Sequence, residues 1–213
     1  MTSSHIKPLA LAAITVADAN AATAVHPVPV HTLIAGIRAK DEKVRGAACE
    51  SAASAGTDAI QPLAELLADP DVEQARAAKR ALRKLVRHAG RPGGGRDRST
   101  AVARLTALLT ASSPAVRREA LWMLSEIGGN EAVGPMAALL DDSALREDAR
   151  ITLQRMSGAK VIAALKKALP SAPEDFKPNL AQSLRALGEK VEGWPSQNLV
   201  PCKPTAVRAP GNP

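Results

Sequence analysis

The strongest constraint on the fold of this chain is a pattern of short paired helices that restarts along the sequence. It is clearest over residues 113–158, where apolar residues recur at helical spacing in three successive runs. Ser113 and Pro114 predict a helix start, because serine can accept an unpaired N–H and a first-position proline lacks one. We predict left-handed glycine C-caps at Gly128–Gly129 and at Gly158. The apolar positions are Val116, Ala120, Leu124 and Ile127, then Val133, Met136, Ala137 and Leu140, then Leu145, Ala149, Leu153 and Met156. Helix pairs that restart in this way are typical of an α-solenoid.

The same unit recurs with a period near thirty residues. One set of markers lies in the first helix of each pair: Leu33, Leu63, Leu105, Met136 and Leu165. A second set is the glycine that ends each pair: Gly56, Gly90, Gly128, Gly158 and Gly188. The two sets agree, and they divide the chain into units at 30–59, 60–90, 101–132, 133–160 and 161–190. One interval is longer, which places a basic, Gly-rich insertion with loop composition at 91–100.

These units predict an all-α fold, an α-solenoid of about five short helix pairs whose second helices line a concave surface. Aromatic residues make up only 1% of the chain, so the core is built from alanine and leucine. The array is predicted to span residues 30–190. Residues 1–29 form a leader or a capping helix, and residues 191–213 form a Pro-rich tail without helical periodicity.

The N-terminal residues leave two locations open. Lys7 precedes an apolar run, and Ala19-Asn20-Ala21 has the small-x-small form of a signal-peptidase site, so residues 1–21 would direct export to the periplasm if they are a signal peptide. A first helix packed on the array has a similar sequence, and a cytoplasmic location is the expectation. No segment has the roughly 20 apolar residues that a transmembrane helix needs.

The units resemble a known family of repeats. Val116-Arg117, Ala120, Leu124 and Ile127-Gly128, followed by Ala132-Val133, Pro135-Met136, Leu139-Leu140 and Asp142, are similar to the short HEAT-like repeat of the phycobilisome-lyase type. Residues 59–69 repeat the second part of this pattern. The resemblance covers residues 30–190 and implies an armadillo-type α-solenoid. It implies no single function, because such repeats occur in chromophore lyases, an iron hydroxylase, regulators and scaffolds.

The enzymatic members of that group can be compared with these residues. HEAT-repeat deoxyhypusine hydroxylase binds iron through repeated His-Glu pairs, whereas none of His5, His26, His31 and His88 is followed by glutamate. Two cysteines, Cys49 and Cys202, form neither a metal set nor a disulfide framework. We therefore expect no catalytic residue, no metal and no cofactor. An accessory role in a chromophore lyase stays an alternative, although no residue indicates a bilin pocket.

The charge of the chain is concentrated in one window. Residues 76–98 carry a net charge of +8, whereas the whole chain carries +7. Six basic residues form one helical stripe, with an apolar stripe opposite, so the basic side is predicted to face solvent. Either an anionic partner or neighbouring carboxylates such as Glu73 and Glu119 can neutralise it. The stripe consists of Arg76, Lys79, Arg80, Arg83, Lys84 and Arg87.

A second candidate contact is Trp122, which points away from the apolar stripe of its helix. An aromatic residue there either anchors a partner or packs between adjacent second helices. We predict a non-catalytic scaffold or adaptor that binds another protein with an acidic surface. The predicted contact set is Arg80, Arg83, Arg87, Arg117, Arg118 and Trp122. The alternative is nucleic-acid binding, including activity like that of HEAT-like DNA glycosylases, although no aromatic residue interleaves with the stripe to stack on bases.

Overall fold

The computed structural model describes residues 27–195, and within this range it contains ten α-helices and no β-strand. The predicted all-α solenoid is confirmed. The helices form five consecutive pairs, and the first helices of the second and fourth pairs continue into short 3-10 turns at 66–68 and 138–141. The helices are α1 (Val30–Ile37), α2 (Glu42–Ser51), α3 (Ile60–Glu65), α4 (Val72–Ala89), α5 (Gly95–Leu108), α6 (Pro114–Ile127), α7 (Asn130–Ala137), α8 (Arg146–Met156), α9 (Ala159–Ala168) and α10 (Lys177–Ala186).

The pairs stack into two helical layers. The second helices pack in sequence order, α2 on α4, α4 on α6, α6 on α8 and α8 on α10. In the other layer α3 packs on α5, α5 on α7 and α7 on α9. Short helices cannot bury their apolar sides alone, and each pair completes its core against its neighbours. The five first-helix markers are all buried in this shared core, at 0–1% exposure: Leu33, Leu63, Leu105, Met136 and Leu165.

Aspartate side chains start two of the second helices. The Asp41 carboxylate accepts from the backbone N–H of Lys43 at 2.7 Å and caps α2. Asp71 accepts from the N–H groups of Glu73 and Gln74 at 2.9 and 3.2 Å and caps α4. These bonds lower the pKa of the Asp71 carboxyl, with the Gln74 N–H as the largest cause. The predicted serine cap at Ser113 is wrong, because its side chain makes no capping hydrogen bond, although α6 does begin at Pro114.

The pair-ending glycines have two different roles. Gly56, Gly158 and Gly188 have positive φ angles of 73°, 94° and 88°, whereas Gly90 has a φ of −79°. The left-handed prediction is wrong at Gly128, whose φ is −69°, and at Gly129, whose φ is −128°. At Gly128 a Cβ would lie 2.4 Å from the Leu124 carbonyl oxygen, so the position lacks space for a side chain rather than requiring an unusual φ.

The predicted loop at 91–100 is wrong over its second half. Helix α5 begins at Gly95, and residues 91–94 alone connect it to α4. Gly93, with a φ of 80°, makes the turn. Polar and acidic residues also suit an exposed first helical turn, where Asp97 lies near the positive end of the helix dipole. The predictions for residues 1–26 and 196–213, which include the possible signal peptide, most of the tail and Cys202, lie outside the described residues.

Candidate binding surface

Helix α4 is amphipathic as predicted. Its apolar stripe is buried to 3% exposure or less at Ala78, Ala81, Leu82, Leu85, Val86 and Ala89. The basic stripe therefore lies on the opposite side, where α4 meets its neighbours α2 and α6 in the second-helix layer.

Most of the basic stripe is neutralised within the protein. Arg76 pairs with Glu73 at 2.9 Å on its own helix, and the other pairs join α4 to neighbouring helices. These are Lys79 and Arg83 with Glu119, Lys84 with Glu50, and Arg87 with Glu126. The interpretation of the stripe as a carboxylate-paired face thus describes five of its six members. Arg80 is the exception, since it makes no ion pair or hydrogen bond within residues 27–195.

Glu119 is the centre of the contact between α4 and α6. Its side chain is only 6% exposed, yet it carries a carboxylate. Lys79 Nζ approaches one of its oxygens at 2.8 Å, and Arg83 donates to both of them. A buried carboxylate is tolerated when charged donors replace the water that it loses. Glu119 therefore joins the two helices instead of weakening their contact.

Two arginines of the predicted contact set lie on α6 and hold the turn before α8. Arg117 donates to Asp142 at 2.7 Å, and its side chain is 20% exposed. Arg118 pairs with Asp148 at 2.9 Å and donates to the Ala144 carbonyl at 2.9 Å. The pKa of Asp142 is lowered, chiefly by the Ala144 N–H and also by Arg117. These arginines position neighbouring elements, and each already pairs with a carboxylate, although the buried Nε of Arg117 has no hydrogen-bond partner among the described residues.

Trp122 is half-buried between two guanidinium groups. Arg155 on α8 lies over its ring at 4.0 Å from the centroid, and Arg83 on α4 lies at 6.0 Å. The indole nitrogen is buried, and no acceptor satisfies its N–H with hydrogen-bond geometry. It faces the carboxylate of Glu126, whose pKa the Trp122 side chain helps to lower. The ring therefore packs among second helices, in contact with α4 and α8, while its role as an anchor for a partner stays a prediction.

Ile151 is a surface residue that our sequence reasoning did not select. It occupies in α8 the position that Trp122 occupies in α6, and 45% of it is exposed. Large apolar side chains are exposed at only two other described positions, Val44 and Val72. The sequence did contain a signal for this residue. When the second helices are aligned by their apolar positions, Ile151 and Trp122 occupy the same position, on the outward side of adjacent helices.

Arg80 lines a groove between α2 and α4. The groove has a volume of about 350 Å³. Gly46 lines it and has no side chain that would fill it. Cys49 lies at its base, 7% exposed, with its thiol donating to the Ala77 carbonyl at 3.3 Å. We call this feature the α2–α4 groove, and its lining residues are Glu42, Gly46, Cys49, Glu50, Arg80 and Lys84.

The described part of the chain contains no group of three or more His, Cys, Asp or Glu residues placed to hold a metal ion. Within the same residues, no helix combines the length and apolar character needed to cross a membrane.

Comparison with known proteins agrees with the fold. Residues 79–154, which run from α4 into α8, match the family model of HEAT repeats. The stacked pairs and this match define the class of the protein, an α-solenoid with HEAT-like repeats. A search of curated proteins finds no match.

Two solved structures that are similar to this chain are designed armadillo repeat proteins. One is a designed armadillo repeat protein in complex with the peptide (KR)4, 23% identical, with a TM-score of 0.42 over 74% of this chain and 81% of that one. Another is a computationally designed armadillo repeat protein for modular peptide recognition, 21% identical, with a TM-score of 0.39 over 74% and 81% of the two chains. A likeness of this size says nothing about what the present chain binds.

Proposed function

We propose that this protein is a non-catalytic scaffold that binds a partner protein on its second-helix layer, the face expected to be concave. The observation that carries the proposal is the exposed Ile151, one helical turn before Arg155, whose guanidinium lies over the half-buried ring of Trp122. An exposed apolar residue next to a tryptophan and an arginine has the composition of the energetic centre of a protein interface. Repeat arrays use such continuous faces for binding.

The face is held in place before any partner arrives. Ion pairs join α4 to α6 through Glu119 and Glu126, and Arg118 joins α6 to Asp148 on α8. A surface whose helices are fixed by such contacts loses little conformational freedom on binding, which favours affinity. We therefore assign Arg83, Arg87, Arg117 and Arg118 to holding the layer. The proposed contact residues are Arg80, Trp122 and Ile151.

The ion pairs also bear on the chemistry of the partner. Binding to a phosphate backbone depends on several free cations, and in the basic stripe Arg80 is the one without an intramolecular partner among the described residues. This supports a protein partner over nucleic acid. A partner with local acidic groups remains suited to Arg80 and Arg155, whose guanidinium groups contact no carboxylate within ion-pair distance in the described part of the chain.

Affinity capture followed by reconstitution tests this function. The wild type, Ile151→Glu and Val72→Glu are used to capture proteins from the source cell, and each captured protein is then purified and titrated against all three. Val72 is the matched control because it is also exposed, at 57%, but lies at the start of α4, away from the Trp122 position. We expect Ile151→Glu to raise the Kd about tenfold or more and Val72→Glu to leave it unchanged. A partner that binds all three equally would refute the proposed face.

A further inference from the structure

We propose that the α2–α4 groove is a binding site for a single carboxylate, an aspartate or glutamate side chain of the partner protein, which pairs with Arg80. The inference rests on the proposed scaffold function and specifies one contact of that same face. Three observations carry it: the missing partner of Arg80, the register of α2 against α4, and a glycine inside α2 that packing does not require.

The register follows from contacts at the far end of the groove. Lys84 on α4 pairs with Glu50 on α2. Beyond this pair, Ala53 and Ser54, in the 3-10 turn that follows α2, share a small cavity with Leu85 and His88 of α4. Residue numbers therefore rise together along α2 and α4, so the two helices run in the same direction.

One helical turn before Glu50 and Lys84, this register places Gly46 opposite Arg80. Both residues line the groove, in agreement with that placement. Where the next turn has a carboxylate facing a cation, this turn has a glycine facing a cation. Arg80 is left without a partner because the residue opposite has no side chain.

Gly46 has no packing reason to be a glycine. A Cβ built on it meets nothing within 4 Å, and its φ is not in the left-handed range. Gly36 in α1 differs, since its Cβ would lie 2.7 Å from the Cβ of Ala48. Glycine inside a helix is less stable than alanine, so an unneeded one indicates a use for the open space. Here that space is the part of the groove in front of Arg80.

The remaining charges limit the occupant to one carboxylate. Glu50 is neutralised by Lys84, and Glu42, one turn before Gly46 on α2, has no ion pair among the described residues. A run of acidic residues or a phosphate chain would bring its second negative charge towards Glu42, which repels it. An arginine fork fits a single carboxylate through two parallel hydrogen bonds. The groove therefore matches one acidic side chain with uncharged neighbours.

Substitution of Gly46 tests the geometry without a partner. Gly46→Glu supplies the carboxylate from α2 itself, whereas Gly46→Gln has the same size and no charge. We expect Gly46→Glu to have the higher Tm, and we expect the difference to disappear in the Arg80→Gln background. Equal Tm values for the Glu and Gln variants with Arg80 present would overturn the assigned register.

A displayed library of random twelve-residue peptides tests the ligand. Peptides are selected on the wild-type protein and counter-selected on Arg80→Gln, then synthesised and titrated. We expect the selected peptides to share one Asp or Glu. Changing it to the amide should weaken binding about tenfold or more, and the same change should have little effect on Arg80→Gln.

Two variants of Gly46 should differ in their binding of the selected peptides. Gly46→Glu is expected to lose the acidic peptides because its own carboxylate occupies Arg80, and Gly46→Ala is expected to retain them. Selection of peptides without an acid, or of none that distinguishes wild type from Arg80→Gln, would overturn the proposal. If a natural partner is lost by Ile151→Glu but binds Gly46→Glu normally, the scaffold function stands and the groove is excluded from it.

Discussion

Arg87 on α4 and Glu126 on α6 form an ion pair with two parallel contacts. Arg87 Nε donates to Glu126 Oε2 at 2.8 Å, and Nη2 donates to Oε1 at 2.9 Å. The pair lowers the pKa of Glu126, with the Arg87 hydrogen bond as the largest cause, and raises the pKa of Arg87. The charge of Arg87 suggested a contact with a partner. In the structure Arg87 instead connects two neighbouring repeats.

Because of the Arg87–Glu126 pair, we expect part of the free energy of unfolding to be lost at low pH. The folded-state pKa of Glu126 is below its ordinary value of 4.5, so its contribution to the free energy of unfolding is complete above that value. The contribution is lost as the pH falls through the lower folded-state pKa. Urea unfolding of wild type and Glu126→Gln from about pH 7 to about pH 3 measures it. We expect the wild type to lose more stability than the variant over the acid part of this range, and equal losses would contradict the prediction.

Because Glu119 is buried, we expect the loss of its charge to destabilise the protein more than the loss of an exposed carboxylate does. In Glu119→Gln, Lys79 and Arg83 lose the carboxylate between them, and we expect a destabilisation of about 1–3 kcal/mol, at the lower end because both cations reach solvent. Glu73→Gln is the control, since Glu73 and Arg76 are 54% and 68% exposed. That change should cost less than about 0.5 kcal/mol. Chemical denaturation of both variants is the measurement, and similar losses would show that burial of Glu119 has no energetic role.

Two glycines in the first pair should respond oppositely to alanine. The Gly36 Cβ would lie 2.7 Å from the Ala48 Cβ, so Gly36→Ala must separate α1 from α2, and we expect a loss of about 1–3 kcal/mol. Gly46→Ala meets no atom and improves helix propensity, so we expect a gain of up to about 1 kcal/mol. Thermal unfolding of both variants tests the sign of each effect. A stabilising Gly36→Ala would mean that α1 and α2 are not packed closely enough at Gly36 to exclude a methyl group.

The hydrogen bonds of Arg185 are expected to hold the segment after α10 in place. Its guanidinium donates to the carbonyls of Val191, Gly193 and Trp194 at 3.1, 2.6 and 2.8 Å. Arg185→Gln removes these charged donors, and we expect trypsin to cleave after the exposed Lys190 faster than in the wild type, with the rest of the array resistant. Arg96→Gln is the control, because Arg96 is exposed and has no ion pair in the described part of the chain. Unchanged cleavage in Arg185→Gln would show that these bonds do not retain the segment.

The helix pairs were predictable because helical periodicity is local. An apolar residue every three or four positions defines a face within one short segment, and the buried marker residues follow it without exception. The glycines were less predictable. Gly56 and Gly128 occupy the same place in the repeat, but one has a left-handed backbone and the other lies against a carbonyl oxygen, and a sequence contains no measure of available space.

The binding surface was predictable only in outline. The stripe on α4 and the outward position of Trp122 follow from helical angles. Whether each arginine is free depends on carboxylates far away in sequence, since Arg83 and Glu119 are 36 residues apart and Arg87 and Glu126 are 39 apart. Only the packing of α4 against α6 brings these charges together.

The amino-acid sequence by itself determined the repeat, the two-layer helical class and the side of each helix that is buried, because these depend on the spacing of apolar residues within single helices. The tertiary structure decided which cations are neutralised, which glycines are needed for close packing, and that Arg80 faces Gly46 across a groove. Those properties depend on the register between helices, which is set by the stacking of whole repeats and is absent from any one of them.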